Sequence, residues 1–563
     1  MPIRYTLFLL GFLVATCSPR PSEKEAKAQE QLINFLDSFE GTSGRGKRPA
    51  LDSLSEQSFA KALQKVRQGL QQLESIDTLQ LNGDDLIDWK FAHSILSGQE
   101  LEIGSMRFYH RDPRIYMGFT DISRILAGPG TDSSKVAEVL PRLQMMPTQL
   151  NNGMAQLQTN VPRFTELAVF MAENAFLLFD RELPTFFQRA GISAEPLHEP
   201  ASVARKSLER FLDFLKKDLP LKPLGSFAIG KEVYDSMLSR QYLLKGGSDR
   251  LFEFGMNEFD KTVQELEALA KKIDSTKTWQ EGIQIVKSQS PSPVRMIEAH
   301  QIWVDKSREH LIRNDLIPVP WPERVRVVPR AEYLRKTSYY GNFSLAKEKS
   351  QDGIYWSEWM INPFEDQWDD QRKKEYMQEH DWGVIMVTAP HETYGGHHVQ
   401  GLYQMHNPRK LRRENGISIF SEGWGLYNEQ LMLETGFFKA KPTQLRQLHL
   451  RLWRNARVIY DVGMHTGRLS YDEAIKLMTD KVGFLPWAAQ LEVDAAAASP
   501  GYFIGYFTGM KEILKIREEF KERRGEVYSL RDFHERLLTI GNMPPALMRE
   551  ALFNNLNQEA LQN

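Results

Sequence analysis

Apolar residues return every three or four positions over long stretches of the chain. Phe59, Leu63, Val66, Leu70 and Leu73 fall on one helical face, as do Phe259, Val263, Leu266, Ala270 and Ile273; Leu208, Phe211, Leu212 and Leu215 form a shorter stripe. Nearer the start, Ser22-x-x-Glu25 has the form of a capping box, in which the two side chains satisfy first-turn amides, and Leu32, Phe35, Leu36 and Phe39 follow on one face. No fixed period of roughly 20–50 residues links these stripes, so they predict packed helix pairs and not a solenoid. The polar, Gly-containing stretches 43–48 and 127–134 predict loops. The clearest seam is Ile317-Pro318-Val319-Pro320-Trp321-Pro322. Alternation just after it, in Val325 to Pro329, and again in Ile354 to Ile361, predicts a small sheet between two helical halves, with a boundary near residue 320.

Composition narrows the class. The chain has 563 residues, with 71 Lys+Arg against 73 Asp+Glu and a single cysteine, which excludes a disulfide scaffold and a disordered chain and leaves no basic field for nucleic acid. Arg4 precedes an apolar run, Leu7 to Ala15, far short of the ~20 residues that span a bilayer but suited to a signal-peptide core. Val14-Ala15-Thr16-Cys17 follows and resembles the bacterial lipobox, where cleavage leaves a cysteine that carries lipid. The expectation is therefore a lipoprotein signal at 1–16, acylation of Cys17 as a membrane anchor, and a place in the bacterial cell envelope, with Ser18 resembling lipoproteins passed to the outer membrane. The alternative is a signal cleaved without lipidation.

The chemically dense segment lies beyond the seam. Of 13 histidines, His380, His391, His397, His398 and His406 fall within 27 positions, around Pro390-His391-Glu392-Thr393-Tyr394-Gly395-Gly396-His397-His398-Val399-Gln400. A His-Glu pair followed by another His is what a hydrolytic zinc site uses: imidazoles to hold the ion, and a carboxylate as base for water. The usual HExxH spacing puts its ligands at i and i+4, where this chain has Gly395. On an ideal helix His397 lies ~9 Å from His391 and about 240° round, and His398 lies ~10.5 Å away, so neither chelates with His391 unless the helix deforms. Gly395-Gly396 permits a bulge that returns a later imidazole toward His391. The alternative is a histidine-rich surface helix end that binds nothing. A third ligand is offered by Glu422, 31 residues after His391, with Glu429 as the competing candidate one face-repeat further on.

At this point the chain resembles a family. His391-Glu392-x-Tyr394-Gly395-Gly396-His397-His398-x-Gln400 is similar to the HExxPGHHxQ signature of the bacterial proteins grouped as domain of unknown function 885, and Glu422-Gly423-Trp424-x-Leu426-Tyr427 to their EGWAxY segment. Arg457-Val458-x-x-Asp461-x-Gly463-x-His465, Pro500-Gly501 through Tyr506 and Gly509, and Phe533-His534 through Pro544 resemble three further blocks, and Gly230 to Tyr234 resembles an upstream one. The likeness covers roughly residues 225–550. It implies a mainly α, two-lobed body with a central channel and a small β-sheet, as in helical zinc peptidases, divided here into 17–320 and a catalytic half 321–563. It also implies a zinc cofactor held by His391, His397 and Glu422, with Glu392 as general base and Tyr506 as oxyanion donor. His398 stays an alternate ligand. His465 and Arg457 either line the substrate cleft or are a core histidine and a salt bridge; Asp461 either orients a ligand imidazole or caps a helix, and His534 is structural. By analogy with related peptidases, short peptides are the substrates, and Trp424, Trp453, Tyr502 and Phe503 are candidates to line the channel.

Two departures stand out. Gly395 replaces the family proline, and Glu492-Val493-Asp494-Ala495-Ala496 lacks an Arg-Tyr pair that usually follows. The competing functional readings are a catalytically inactive surface lipoprotein that binds peptide or metal, and a helical envelope scaffold. The sequence leaves the oligomeric state open.

Overall fold

The computed structural model describes residues 22–39, 52–127, 131–330 and 341–562. The signal at 1–16, Cys17 and the predicted loop at 43–48 lie outside the described residues.

Helices form where the stripes predict them. α1 (Glu23–Asp37) opens on the capping box: the Glu25 N–H donates to Ser22 Oγ at 3.2 Å and the Ser22 N–H to Glu25 Oε2 at 2.6 Å. α2 (Glu56–Glu74) buries Phe59, Val66, Leu70 and Leu73. α3 (Gly83–Glu100) packs beside it, and α4 (Asp132–Gln156) starts at a Thr131 cap after a helix that ends at Ala127. α5 (His198–Lys217) and α6 (Gly247–Ile273) carry the other two stripes, with Ile273 exposed where α6 ends, and α7 (Met296–Arg313) leads into the seam.

The sheet is small and mixed. β1 (Glu323–Pro329) pairs in parallel with β3 (Tyr355–Ile361), and β2 (Asn342–Ser344) lies antiparallel on the other side of β3. Val325 and Val327 point inward from β1 and Arg324 and Arg326 outward, the alternation of a half-buried strand. The seam near 320 marks the start of this sheet and not a division of the core. Most buried apolar side chains fall in two clusters: a larger one drawing on Ala28 to Met106 and Ile229 to Phe553, and a smaller one running from Leu54 to Leu219. Among the described residues no helix is long and apolar enough to cross a membrane.

Five helices frame the chemistry: α8 (Trp382–Glu392), α9 (His397–Met405), α10 (Ser418–Glu434), α11 (Lys441–His465) and α12 (Ile504–Arg524). α10 and α12 cross at backbone contact, since a Cβ on Gly423 would meet the Gly509 backbone at 2.6 Å, and one on Gly509 would meet the Ile419 carbonyl at 1.9 Å. The start of α8 is fixed by Asp381, whose carboxylate accepts the Val384 N–H and pairs with Arg446 at 2.9 Å; beside it Lys287 and Glu379 pair at 2.8 Å, all four side chains being buried.

Candidate metal centre

The histidine segment does not form one bulged helix, as the spacing suggests; the helix breaks. α8 ends at Glu392, residues 393–396 make a turn, and α9 begins at His397. Gly395 has φ +96°, which a proline ring cannot adopt, so this turn differs in backbone from one built on the family proline. A Cβ on Gly396 would meet the His391 carbonyl at 1.8 Å, so the chain doubles back tightly enough to bring His397 beside His391. α10 holds both edges of the break: Asn428 Nδ2 donates to the Pro390 carbonyl at 2.8 Å and Trp424 Nε1 to the Gly395 carbonyl at 2.6 Å.

The break produces a compact donor set. The His391 and His397 rings stand 4.9 Å apart and perpendicular, and one ligating atom each from His391, His397 and Glu422 lie within 4.8 Å of one another. Ligands held tetrahedrally at about 2.0–2.1 Å from zinc stand about 3.3 Å apart. His397 Nε2 and Glu422 Oε2 are separated by 3.4 Å. Two imidazoles and a carboxylate, half-buried or buried, are the donor types that a hydrolytic zinc ion takes from a protein. Burial opposes charge on both partners of the His397–Glu422 pair, but their hydrogen bond and mutual attraction outweigh it. His397 is raised to about 9 and Glu422 is held down to about 2. Glu392 lies next to the cluster in space as well as in sequence, its charge acting on His397.

Glu429 stands outside the donor set and holds one of its members. Its Oε1 accepts from His391 Nδ1 at 2.8 Å, which directs Nε2 toward the donor cluster, and Arg454 stands 3.8 Å behind the carboxylate. The His391 ring packs against Gly425, where a Cβ would come within 2.7 Å of it. Asp461 does not have this orienting role. It accepts from the Tyr234 hydroxyl at 2.9 Å and from the Gly501 and Phe503 amides at 2.9 and 3.0 Å, anchoring the turn before α12, and burial pushes its carboxyl up to about 7.

That turn delivers two tyrosines. Tyr502 donates its hydroxyl to Glu422 Oε1, leaving Oε2 toward His397. Tyr506 sits one turn on, its ring nearly parallel to His391 at 6.4 Å and under the Arg457 guanidinium at 4.3 Å. Burial raises the Tyr506 hydroxyl, so it keeps its proton as a donor. The sequence names Tyr502 only as a channel residue; its bond to Glu422 has no local signal.

Three candidates stand elsewhere. His398 is turned from the donor set to the sheet: its Nε2 bonds Glu323 Oε2 at 2.7 Å, an oxygen that also accepts from Tyr394. His465 is a core histidine, bonded to the Ala496 carbonyl at 3.0 Å and pushed down to about 4 by burial. Arg457 is committed to Glu492 by two bonds of 2.9 and 3.0 Å, and so supports Tyr506 from behind. His534, bonded to the Tyr427 hydroxyl and the Leu316 carbonyl, is structural, and Trp424, Trp453 and Phe503 are packed into the core.

Glu422 and Tyr502 also form part of the wall of a cavity of about 950 Å³. Its other side is built from the first half of the chain, including Phe91 and Gln99 of α3, Asp112, and Arg142 and Gln149 of α4. The donor cluster therefore meets this cavity through Glu422, on α10.

Residues 38–552 match a family described as bacterial protein of unknown function, DUF885. The solved structure of a presumed lipoprotein of unknown function from Shewanella oneidensis superposes with a TM-score of 0.76 at 19% identity, covering 95% of this chain and 100% of that one. A presumed lipoprotein from Colwellia psychrerythraea gives 0.72 at 16% identity, covering 95% and 97%. At such identities the likeness shows the shared fold. No curated protein matches the chain.

Proposed function

Given that the chain belongs to the DUF885 family of bacterial proteins, we propose that it is a zinc-dependent peptidase acting on short peptides and held at the cell envelope by a lipid on Cys17. The observation that carries this reading is the convergence of His391, His397 and Glu422 beside Glu392 at the edge of a large cleft. The lipid anchor is supported by the Val14-Ala15-Thr16-Cys17 pattern and by the two structural relatives described as presumed lipoproteins.

The chemistry that zinc supplies in such a site is acidification of a water and polarisation of the scissile carbonyl. His391, fixed by Glu429, and His397, at the start of α9, would hold the ion together with Glu422. Glu392 takes the proton of the attacking water and returns it to the leaving amine. The Tyr506 hydroxyl donates to the oxyanion, and Tyr502 holds the other oxygen of Glu422. A cleft of about 950 Å³ admits a short unfolded peptide and excludes a folded protein.

The test is Glu392→Gln assayed against a pool of short synthetic peptides. The expected variant keeps one zinc per chain by elemental analysis and loses hydrolysis by at least a hundredfold. Unchanged turnover rejects the base assignment, and zinc binding without turnover in the parent protein leaves a binding lipoprotein. His391→Ala and His397→Ala are expected to lose the metal, and His398→Ala to keep it.

A further inference from the structure

The wall of the cleft carries one cationic side chain among the described residues, Arg142 of α4. Among the described residues its one hydrogen bond is from Nη1 to the Glu138 carbonyl of its own helix, its Nε is buried without a partner, and no carboxylate is paired with it. The acidic groups in the same wall have other commitments. Asp112 is held by Arg114 at 2.8 Å, Asp121 by Arg124 at 2.8 Å, and Glu422 by His397 and Tyr502. Glu102 has a partner too. An arginine that faces a cleft with donors to spare, where Asp112, Asp121 and Glu422 are already paired, is a receptor for a planar anion.

We propose that Arg142 receives the C-terminal carboxylate of the substrate, so that the protein trims short peptides from their carboxyl ends. This rests on the peptidase reading of the same cleft. A space of about 950 Å³ is about 12 Å across if compact, and an extended chain advances about 3.3 Å per residue, so about three or four residues span it. Cleavage near Glu422 with the terminus at Arg142 then releases a piece of up to about four residues. The rest of the wall suits such a guest: Gln241 and Ser499 offer neutral hydrogen bonds to a peptide main chain, and Phe91 and Met237 give apolar contact.

Binding, measured apart from turnover, tests the anchor. In the Glu392→Gln background, which leaves peptides uncut, N-acetyl-tetra-alanine and its C-terminal amide differ by one charge and are titrated by calorimetry. The free acid is expected to bind at least tenfold tighter than the amide. That gap should collapse to less than twofold in Arg142→Met and persist in part in Arg142→Lys, which keeps the charge without the planar fork. Equal affinities for acid and amide, absence of binding by both, or a gap that survives Arg142→Met would overturn the proposal; should the Met variant fail to fold, a gap undiminished in Arg142→Lys does the same. Peptide hydrolysis by the parent is read separately, so acid-selective binding without cleavage would discard the peptidase and keep the anchor.

Discussion

On the proposed reading, zinc would have to compete with a proton at His397. Paired with Glu422 across 3.4 Å, the imidazole holds its proton up to about pH 9. At pH 7, two units lower, about one molecule in a hundred has that ring neutral, which weakens apparent zinc affinity about 100-fold, or ~2.7 kcal/mol. Affinity is therefore expected to rise about tenfold per pH unit from 7 to 9 and to level off above, whereas an unpaired histidine would level off near 6.5. Competition against a chelator of known affinity, at pH 7, 8, 9 and 10 in non-coordinating buffers, measures this slope. The metal-free protein carries the matching signature in stability. Because the folded value lies above the unfolded one, the stabilisation is complete below about pH 6.5 and is lost as pH rises through 9, by about 3 kcal/mol at most. Glu422's depression to about 2 is the same pair seen from its other partner; its loss belongs to the acid range, between about 4.5 and 2, and does not add at neutral pH. Zinc-loaded protein should show no decline between pH 6.5 and 9. An affinity flat from pH 7 to 9 would mean that His397 is already neutral and would refute the reasoning.

Glu429→Gln should lower zinc affinity 10–100-fold by removing the charge behind His391 Nδ1, and chelator competition giving the parent value would reject that orienting role. Gly425→Ala places a Cβ 2.7 Å from the His391 ring, so metal occupancy should fall sharply while far-UV circular dichroism stays unchanged; full occupancy counts against the packing described. Lys287→Met removes the closest partner of buried Glu379 and should cost about 3 kcal/mol in urea unfolding, much of it recovered by adding Glu379→Leu; a loss under about 1 kcal/mol would show the pair to be dispensable.

Helices and sheet were readable because their signals are local. The stripe of α2 and the Ser22–Glu25 box lie within a few turns of themselves, and Val325 to Pro329 alternates within one strand. The donor set was half readable. Helix arithmetic shows that His391 and His397 need a deformation, and Gly395-Gly396 locates it, but a bulge and a full break satisfy the same arithmetic. Which carboxylate of α10 joins the donor set depends on how α8 crosses it: of two glutamates seven residues apart, Glu429 meets His391 Nδ1 and Glu422 stands with His391 and His397. His398 follows His397 directly, yet one helical step turns it toward Glu323, 75 residues away, a partner that no local pattern announces. The blocks around Tyr234, Asp461 and Gly501 likewise meet only in space, where they brace the turn bearing Tyr502.

The bonds from Asn428 and Trp424 to the two sides of the helix break mean that the donors are gathered by folding itself, before any ion arrives. Stripping the metal with a chelator should thus leave the architecture standing, unlike a zinc finger, which collapses without its ion. Exchange for a spectroscopically visible substitute such as cobalt then becomes a reversible operation on an intact protein, and its ligand-field spectrum would report the vacancy left for water.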